Sequence, residues 1–221
     1  AFIGDVVLAT AMLEALHQHH PAASISILVR KGNEALLNAH PFIDQVLVWD
    51  KKQNKYGHWL QLLFTIRKSQ FDAVINVQRY AATGIWTALS GAKMKIGFDK
   101  NPLAFLFTNT IKHEFVGNGL HETERNHALL SPLGTFPNAK PALYPSIEDE
   151  KLVASYQAQP YLCMAPASVW FTKQFPVQQW IKLLKQIPFN GPIYLLGGPG
   201  DKPLNDQIMQ ALQMPNLVNM A

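Results

Sequence analysis

Three short blocks carry the side chains with the clearest chemical use. In the first, Gly4-Asp5 heads the run Val6 to His17, whose apolar residues recur at helical spacing. A carboxylate at such a helix start could act as a general base on a hydroxyl brought within about 3 Å. It could equally cap the helix, a common role for Asp at the N-cap that contributes about 1 kcal/mol and needs no function. The second block, Ala165-Pro166-Ala167-Ser168-Val169-Trp170-Phe171-Thr172-Lys173-Gln174-Phe175-Pro176, leads from a strand-like run into a helix-like one. Small residues after a strand let the backbone approach a ligand, Ser168 and Thr172 supply hydroxyls, and Lys173 supplies a cation. The helix beyond offers N–H groups at its positive end, which completes the ingredients of a phosphate site. Taken singly, Lys173 reads as an ordinary solvated loop lysine. The third block, Leu196-Gly197-Gly198-Pro199-Gly200-Asp201, is again strand, glycine turn and helix start. Glycines there permit positive φ and close ligand approach, and Asp201 would cap its helix or accept hydrogen bonds from a ribose. The block matches neither GxGxxG nor GxxxxGK[ST], so a dinucleotide site and a P-loop ATPase lose their main support.

Gln78 and Arg79 follow a strand ending at Val77 and so belong to the same crevice as Asp5, where Arg79 could bind a carboxylate or phosphate bidentately. His121-Glu122-Thr123-Glu124-Arg125-Asn126 opens a helix, its acids placed for the first turn and Arg125 one turn from His121; a solvated surface is the plain reading. His17, His19 and His20 cluster at a helix end as exposed imidazoles, without converging ligands for a metal. Glu148-Asp149-Glu150 is a charged helix start. No metal and no cofactor are expected.

These blocks need a scaffold, and the alternation of short β-rich runs with longer amphipathic ones is that of βαβ units and a parallel sheet. Ser24 to Val29, Gln45 to Trp49, Asp72 to Val77, Thr110 to Phe115, Pro160 to Met164 and Pro192 to Leu196 read as strands. Val6 to His17, Tyr56 to Lys68, Val177 to Gln186 after Pro176, and Asp201 to Gln213 read as helices. Asn216 to Ala221 reads as a further strand. The stretch from Gly134 to Pro145 carries Pro137, Pro141 and Pro145, and places a boundary between domains 1–145 and 146–221. The second domain, with about two and a half units, is too small for a complete α/β domain.

The 221 residues are 48% hydrophobic and 15% charged, against roughly 25% charged in an average soluble domain, which excludes general disorder. A formal charge of +4 suits an anionic small molecule or an anionic membrane surface and is too small to require nucleic acid. Lys51, Lys52, Lys55, Arg67 and Lys68 could contact anionic lipid, although an ordinary solvated surface would look the same. The single Cys163, in the apolar run Tyr161 to Met164, reads as a buried small hydrophobe and points to a reducing, cytosolic compartment. No stretch approaches 18 apolar residues, so any membrane association is peripheral. The opening lacks an initiator Met and the features of a signal peptide, and the close lacks a terminating signal, so a fragment at both ends is expected.

The order of the motifs is more specific than any one of them. Ile3-Gly4-Asp5-Val6-Val7-Leu8-Ala9-Thr10 with Met12-Leu13, then Asn76-Val77-Gln78, Ile96-Gly97-Phe98, His121 to Asn126, Lys173-Gln174-Phe175-Pro176 and Gly197-Gly198-Pro199, resembles glycosyltransferase family nine, the ADP-heptose:lipopolysaccharide heptosyltransferases. The resemblance runs in register from Ile3 to about Asp206, and the opening block is its most specific part.

The resemblance implies a GT-B architecture: two Rossmann-like parallel-sheet domains, the N-terminal one for the acceptor and an incomplete C-terminal one for the nucleotide sugar. It implies inverting, metal-independent transfer of heptose from ADP-heptose to a hydroxyl of the lipid A-linked core oligosaccharide, at the cytoplasmic face of the inner membrane. On this resemblance Asp5 is the base, Ser168, Lys173, Gly198 and Asp201 bind the donor, and Gly4, Gln78, Arg79 and Arg125 bind the acceptor. Val169 stands where the family often has a second hydroxyl and Phe175 where Trp is frequent. Much of the nucleotide pocket would follow Ala221, so the chain alone is expected to turn over negligibly. The alternatives are a transferase for another nucleotide sugar, or a non-catalytic nucleotide- or glycan-binding module that keeps the phosphate loop without needing Asp5 as base.

Overall fold

The computed structural model describes residues 2–52, 54–114 and 119–221, so Phe115 of the fourth expected strand lies outside the described residues. The chain divides into two compact units, Ala1–Ser146 and Ile147–Ala221.

Unit 1 opens with helix α1, Ile3–His19. Phe2, not Asp5, is its N-cap: Asp5 sits one turn in and its carboxylate reaches back to accept from Phe2 N–H at 2.8 Å. Val6, Met12, Leu13 and Ala15 form the buried stripe of α1. Strands β1 (Ser26–Arg30) and β2 (Gln45–Trp49) pair in parallel, and β3 (Ala73–Asn76), β4 (Met94–Phe98) and β5 (Asn109–Ile111) form a second parallel group in the order β3-β4-β5. Helix α2 (Lys55–Lys68) follows β2, and α3 (Ala81–Leu89) makes the crossover from β3 to β4. Leu62, Leu63 and Ile66 of α2 bury against Leu47, Trp49 and Trp86. Two of the three indoles in this layer are hydrogen-bonded, Trp86 Nε1 donating to Trp59 O at 3.1 Å and Trp59 Nε1 to Ala82 O at 3.3 Å, while the buried Trp49 Nε1 finds no acceptor among the described residues. Ile96 and Phe98 are wholly buried with Met12, Ala15, Leu129 and Leu130, which fastens β4 to α1 and to the turns after α4 (Glu122–His127). Full burial of side chains of this size contributes about 1.5–3 kcal/mol each.

Unit 2 begins with α5 (Ile147–Ala154) and alternates β6 (Leu162–Met164), α6 (Val177–Gln186), β7 (Ile193–Leu195), α7 (Lys202–Leu212) and β8 (Leu217–Asn219), with all strands parallel in the order β6-β7-β8. Central β7 is buried along its whole length, and Ile193 and Leu195 pack with Leu184, Ile208 and Leu217. Cys163 is exposed, which corrects the reading of it as buried. Leu162 and Met164 pack on the core, so strand alternation turns Cys163 to the other face of an edge strand. Among the described residues no helix is long and apolar enough to cross a membrane.

Candidate functional site

In parallel α/β sheets ligands bind beyond the carboxyl ends of the strands, and in unit 1 Gln78 and Arg79 follow β3, and His113 follows β5, at that edge. After β3, Gln78 N–H donates to Asn76 Oδ1 at 2.9 Å, turning the chain sharply. Buried Asn101, just past β4, donates from Nδ2 to Gln78 O at 3.1 Å and to Tyr80 O at 3.2 Å, so the loop carrying Arg79 is held from both sides. Beyond β5, His113 N–H donates to Asp99 Oδ1 at 2.8 Å and its ring meets Phe98 edge-on at 4.8 Å.

The His113 imidazole is held below its ordinary pKa, first by burial and then by the charges of Arg125 and Arg79, with Asp99 opposing. Both arginines therefore lie within electrostatic reach of one ring. Arg125 is not the solvated surface residue that its motif suggested: its side chain is only 16% exposed, held by Glu122 at 2.9 Å, and its buried Nε has no hydrogen-bond partner among the described residues. Arg79, next to Gln78 in the chain, and Arg125 thus both act on His113 through their charge. That makes a cationic pair able to hold an anionic or hydroxyl-rich ligand. Asp5 lies on the exposed opening turn of α1, and at Gly4 a Cβ would meet open space. A separate cleft of about 240 Å³ lies between Ala11 of α1 and the start of α4, but its polar groups are taken up locally. His121 N–H donates to Glu124 Oε2 at 2.7 Å, and His127 Nε2 is 3.0 Å from Phe136 O.

In unit 2 the Ser168/Lys173 loop follows β6 and the Gly198/Asp201 loop follows β7. Because β6 and β7 are adjacent and parallel, both loops emerge at the same edge of the sheet. The first loop is shaped by Ser168, whose Oγ accepts from Trp170 N–H at 3.2 Å and whose carbonyl accepts from Gln174 Nε2 at 2.7 Å. Lys173 closes a single 3-10 turn and is exposed, three residues before Pro176 caps α6. Asp201 Oδ2 accepts from Gly198 N–H at 2.9 Å across the 3-10 turn Pro199–Asp201, and, although Asp201 stands at the N-cap of α7, its side chain makes no capping bond to that helix. Gly197, Gly198 and Gly200 do not use the positive φ that glycine permits. Gly197 is needed for a different reason, since a Cβ there would come within 2.8 Å of the Asp201 Cβ.

A polar network beneath this second loop went unread in the sequence. Buried Asn205 donates from Nδ2 to Leu195 O at 3.2 Å and to Asn219 Oδ1 at 3.1 Å, and Asn219 Nδ2 donates to Asp206 Oδ1 at 2.7 Å. Hydrogen bonding from Lys202, then from Asn219, lowers the pKa of Asp206. His113 was also missed, although its position just after a strand is the same signal that singled out Gln78. Among the described residues no three His, Cys, Asp or Glu side chains are grouped as a metal ion requires.

Two Rossmann-like units built on parallel sheets make this a protein of the GT-B glycosyltransferase class, and solved structures share the fold. A glycosyl transferase family 9 protein from Veillonella parvula superposes with a TM-score of 0.84 at 18% identity, over 99% of this chain and 67% of its own. ADP-heptose lipopolysaccharide heptosyltransferase II of Escherichia coli does so at 0.79 and 17%, over 100% of this chain and 70% of its own. In sequence, lipopolysaccharide heptosyltransferase 3 of Escherichia coli is 23% identical over 100% of this chain and 69% of its own length. Lipopolysaccharide core heptosyltransferase OpsX of Haemophilus influenzae is 32% identical over 43% of this chain and 27% of its own. The profile of glycosyltransferase family 9 (heptosyltransferase) matches residues 59–220, and the chain belongs to that family.

Proposed function

We propose that this chain supplies the acceptor unit and part of the donor unit of an inverting, metal-independent heptosyltransferase, which moves heptose from ADP-heptose to a hydroxyl of the lipid A-linked inner core at the cytoplasmic face of the inner membrane. The observation that carries the donor half is the emergence of the Lys173 and Asp201 loops from adjacent parallel strands, at the edge where α/β sheets bind nucleotides. Lys173, with backbone N–H groups of its loop, offsets the charge of the diphosphate as it leaves, and Ser168 and Gly198 let the backbone come close to it. Asp201 keeps one oxygen on Gly198 N–H and presents the other to the ribose.

On the acceptor side Asp5 is the base. Its Oδ2 is engaged by Phe2 N–H, and Oδ1 takes the proton of the acceptor hydroxyl. The hydroxyl oxygen bonds to the anomeric carbon, the bond from that carbon to the ADP oxygen breaks, and ADP departs with the electron pair. Gln78, Arg79 and Arg125 hold the acceptor, and Gly4 keeps the approach to Asp5 open.

Calorimetric titration with ADP, ADP-heptose, UDP and NAD tests this in the enzyme at the length of its relatives. Selective binding of the two ADP compounds, weakened at least about tenfold by Lys173→Ala, is expected, which corresponds to about 1.4 kcal/mol. Binding indifferent to Lys173, or an equal response to UDP, would overturn the donor assignment.

A further inference from the structure

Helix α2 is apolar on two sides. One side, Leu62, Leu63 and Ile66, is buried in the unit 1 core. The other is left in solvent: Tyr56 is 76% exposed, Leu60 48% and Phe64 68%. These three recur every four residues and so form one outward stripe. A surface helix ordinarily turns polar residues outward, and a contiguous apolar stripe there marks an interaction site.

The charges around the stripe say what it fits. From Lys51 to Gln70 the sequence contains Lys51, Lys52, Lys55, Arg67 and Lys68 and no Asp or Glu. The nearest acids on either side are each paired with a lysine from elsewhere, Asp50 with Lys31 at 2.7 Å and Asp72 with Lys93 at 4.0 Å. Arg67 donates to Leu89 O at 2.7 Å, which brings the end of α3, with its exposed Leu89, to the same end of α2. An aromatic and aliphatic stripe with cations at both ends and no anion is the pattern of a helix lying in the interface of an anionic bilayer. A protein partner would require a complementary acidic rim around the same stripe, whereas an anionic lipid surface meets every one of these charges at once.

We propose that the outer face of α2, with Tyr56, Leu60 and Phe64 inserted and Lys52 and Lys68 over the headgroups, docks unit 1 on an anionic membrane surface; Lys51 is engaged instead over the Trp49 ring, 4.2 Å from its centroid. The inference rests on the proposed function only for its purpose, the delivery of a lipid-linked acceptor; the docking follows from the surface itself.

Co-flotation of the purified chain with vesicles tests it. Binding is expected to vesicles of phosphatidylglycerol and phosphatidylcholine in equal parts, and to be at least about tenfold weaker to pure phosphatidylcholine and in high salt. The Leu60→Ser/Phe64→Ser variant and the Lys52→Glu/Lys68→Glu variant should each lose most of that binding. Circular dichroism and the midpoint of thermal unfolding report whether each variant stays folded, as expected for exposed positions. Equal flotation of wild type and folded variants, no preference for anionic lipid, or a dimer abolished by Phe64→Ser without lipid binding would overturn the proposal. ADP titration of the same variants is expected to be unchanged, so a failed donor assignment and a failed docking surface give different results.

Discussion

Tyr144 Oη donates a 2.9 Å hydrogen bond to Glu14 Oε1, so a residue near the end of unit 1 is tied to the middle of its first helix. A second tie lies one turn away, Ala142 N–H to Thr10 Oγ1 at 3.0 Å. Together they hold the proline-rich stretch against α1. Tyr144→Phe removes the first tie and leaves a largely buried carboxylate short of a partner, at a cost of about 1–2 kcal/mol. Urea unfolding should show a lower midpoint with an unchanged slope; an unchanged midpoint would mean that Tyr144 is held by ring packing alone.

The same corner makes stability depend on pH. His40 is buried between Phe42 and Tyr144, with ring centroids 4.4 and 4.7 Å away and Glu14 at 3.7 Å from its Nε2. Burial lowers its pKa, Glu14 opposes the shift and His17 adds to it; His113 is lowered too, again by burial first. Because both folded values lie below the unfolded 6.5, the unfolded chain takes up protons first as the medium acidifies. The associated stability is present above 6.5 and is lost as pH falls from there through the lowered folded values. Urea midpoints taken from about pH 8 down to about pH 5 should decline, and His40→Gln should flatten the decline.

How far these elements were legible depended on what each one packs against. Helix α6 was readable to its ends because Pro176 marks the start and Trp180, Ile181 and Leu184 recur at helical spacing. Strand β2 was readable because Gln45 to Trp49 is a compact run of β-branched and aromatic residues between turns. Helix α3 was missed: Ala81 to Leu89 is only nine residues long, has Gly84 in its middle and lacks a side-chain cap, so no start or stop signal marks it in the sequence. Strand β4 was missed because Gly97 interrupts it, and that glycine makes sense only in three dimensions, where the Phe107 ring fills the space of a Cβ. The same limit applies to the site. Loops at strand ends could be named from the sequence, but the electrostatic coupling of Arg79 and Arg125 to His113 joins three separate segments, and no local pattern announces it.

In unit 2 the Asn205 network should carry more stability than its exposed neighbours. Asn205→Ala removes two buried hydrogen bonds, to Leu195 O and Asn219 Oδ1, whose remaining donors are only the backbone N–H groups of Met220 and Ala221, which costs about 1–2 kcal/mol. Lys202→Ala breaks an exposed i,i+4 pair with Asp206 and should cost at most about 0.5 kcal/mol. Thermal unfolding of the two variants separates a buried network from surface charge; similar losses would contradict the placement of Asn205 at the centre of the network.

The last prediction concerns Asp5, whose structural and chemical roles can be separated by one substitution. In Asp5→Asn the side-chain oxygen can still accept from Phe2 N–H, so the opening turn of α1 is kept and stability should change by less than about 1 kcal/mol. The amide cannot take a proton from an acceptor hydroxyl. In the enzyme at the length of its relatives, transfer should fall by about 10²–10⁴-fold while ADP affinity stays unchanged. Asp5→Ala should lose transfer to the same degree and, in addition, lower the unfolding midpoint, because the Phe2 N–H then has no side-chain acceptor. Transfer retained in Asp5→Asn, with the loss confined to Asp5→Ala, would mean that Asp5 only fixes the start of α1 and that the base lies elsewhere.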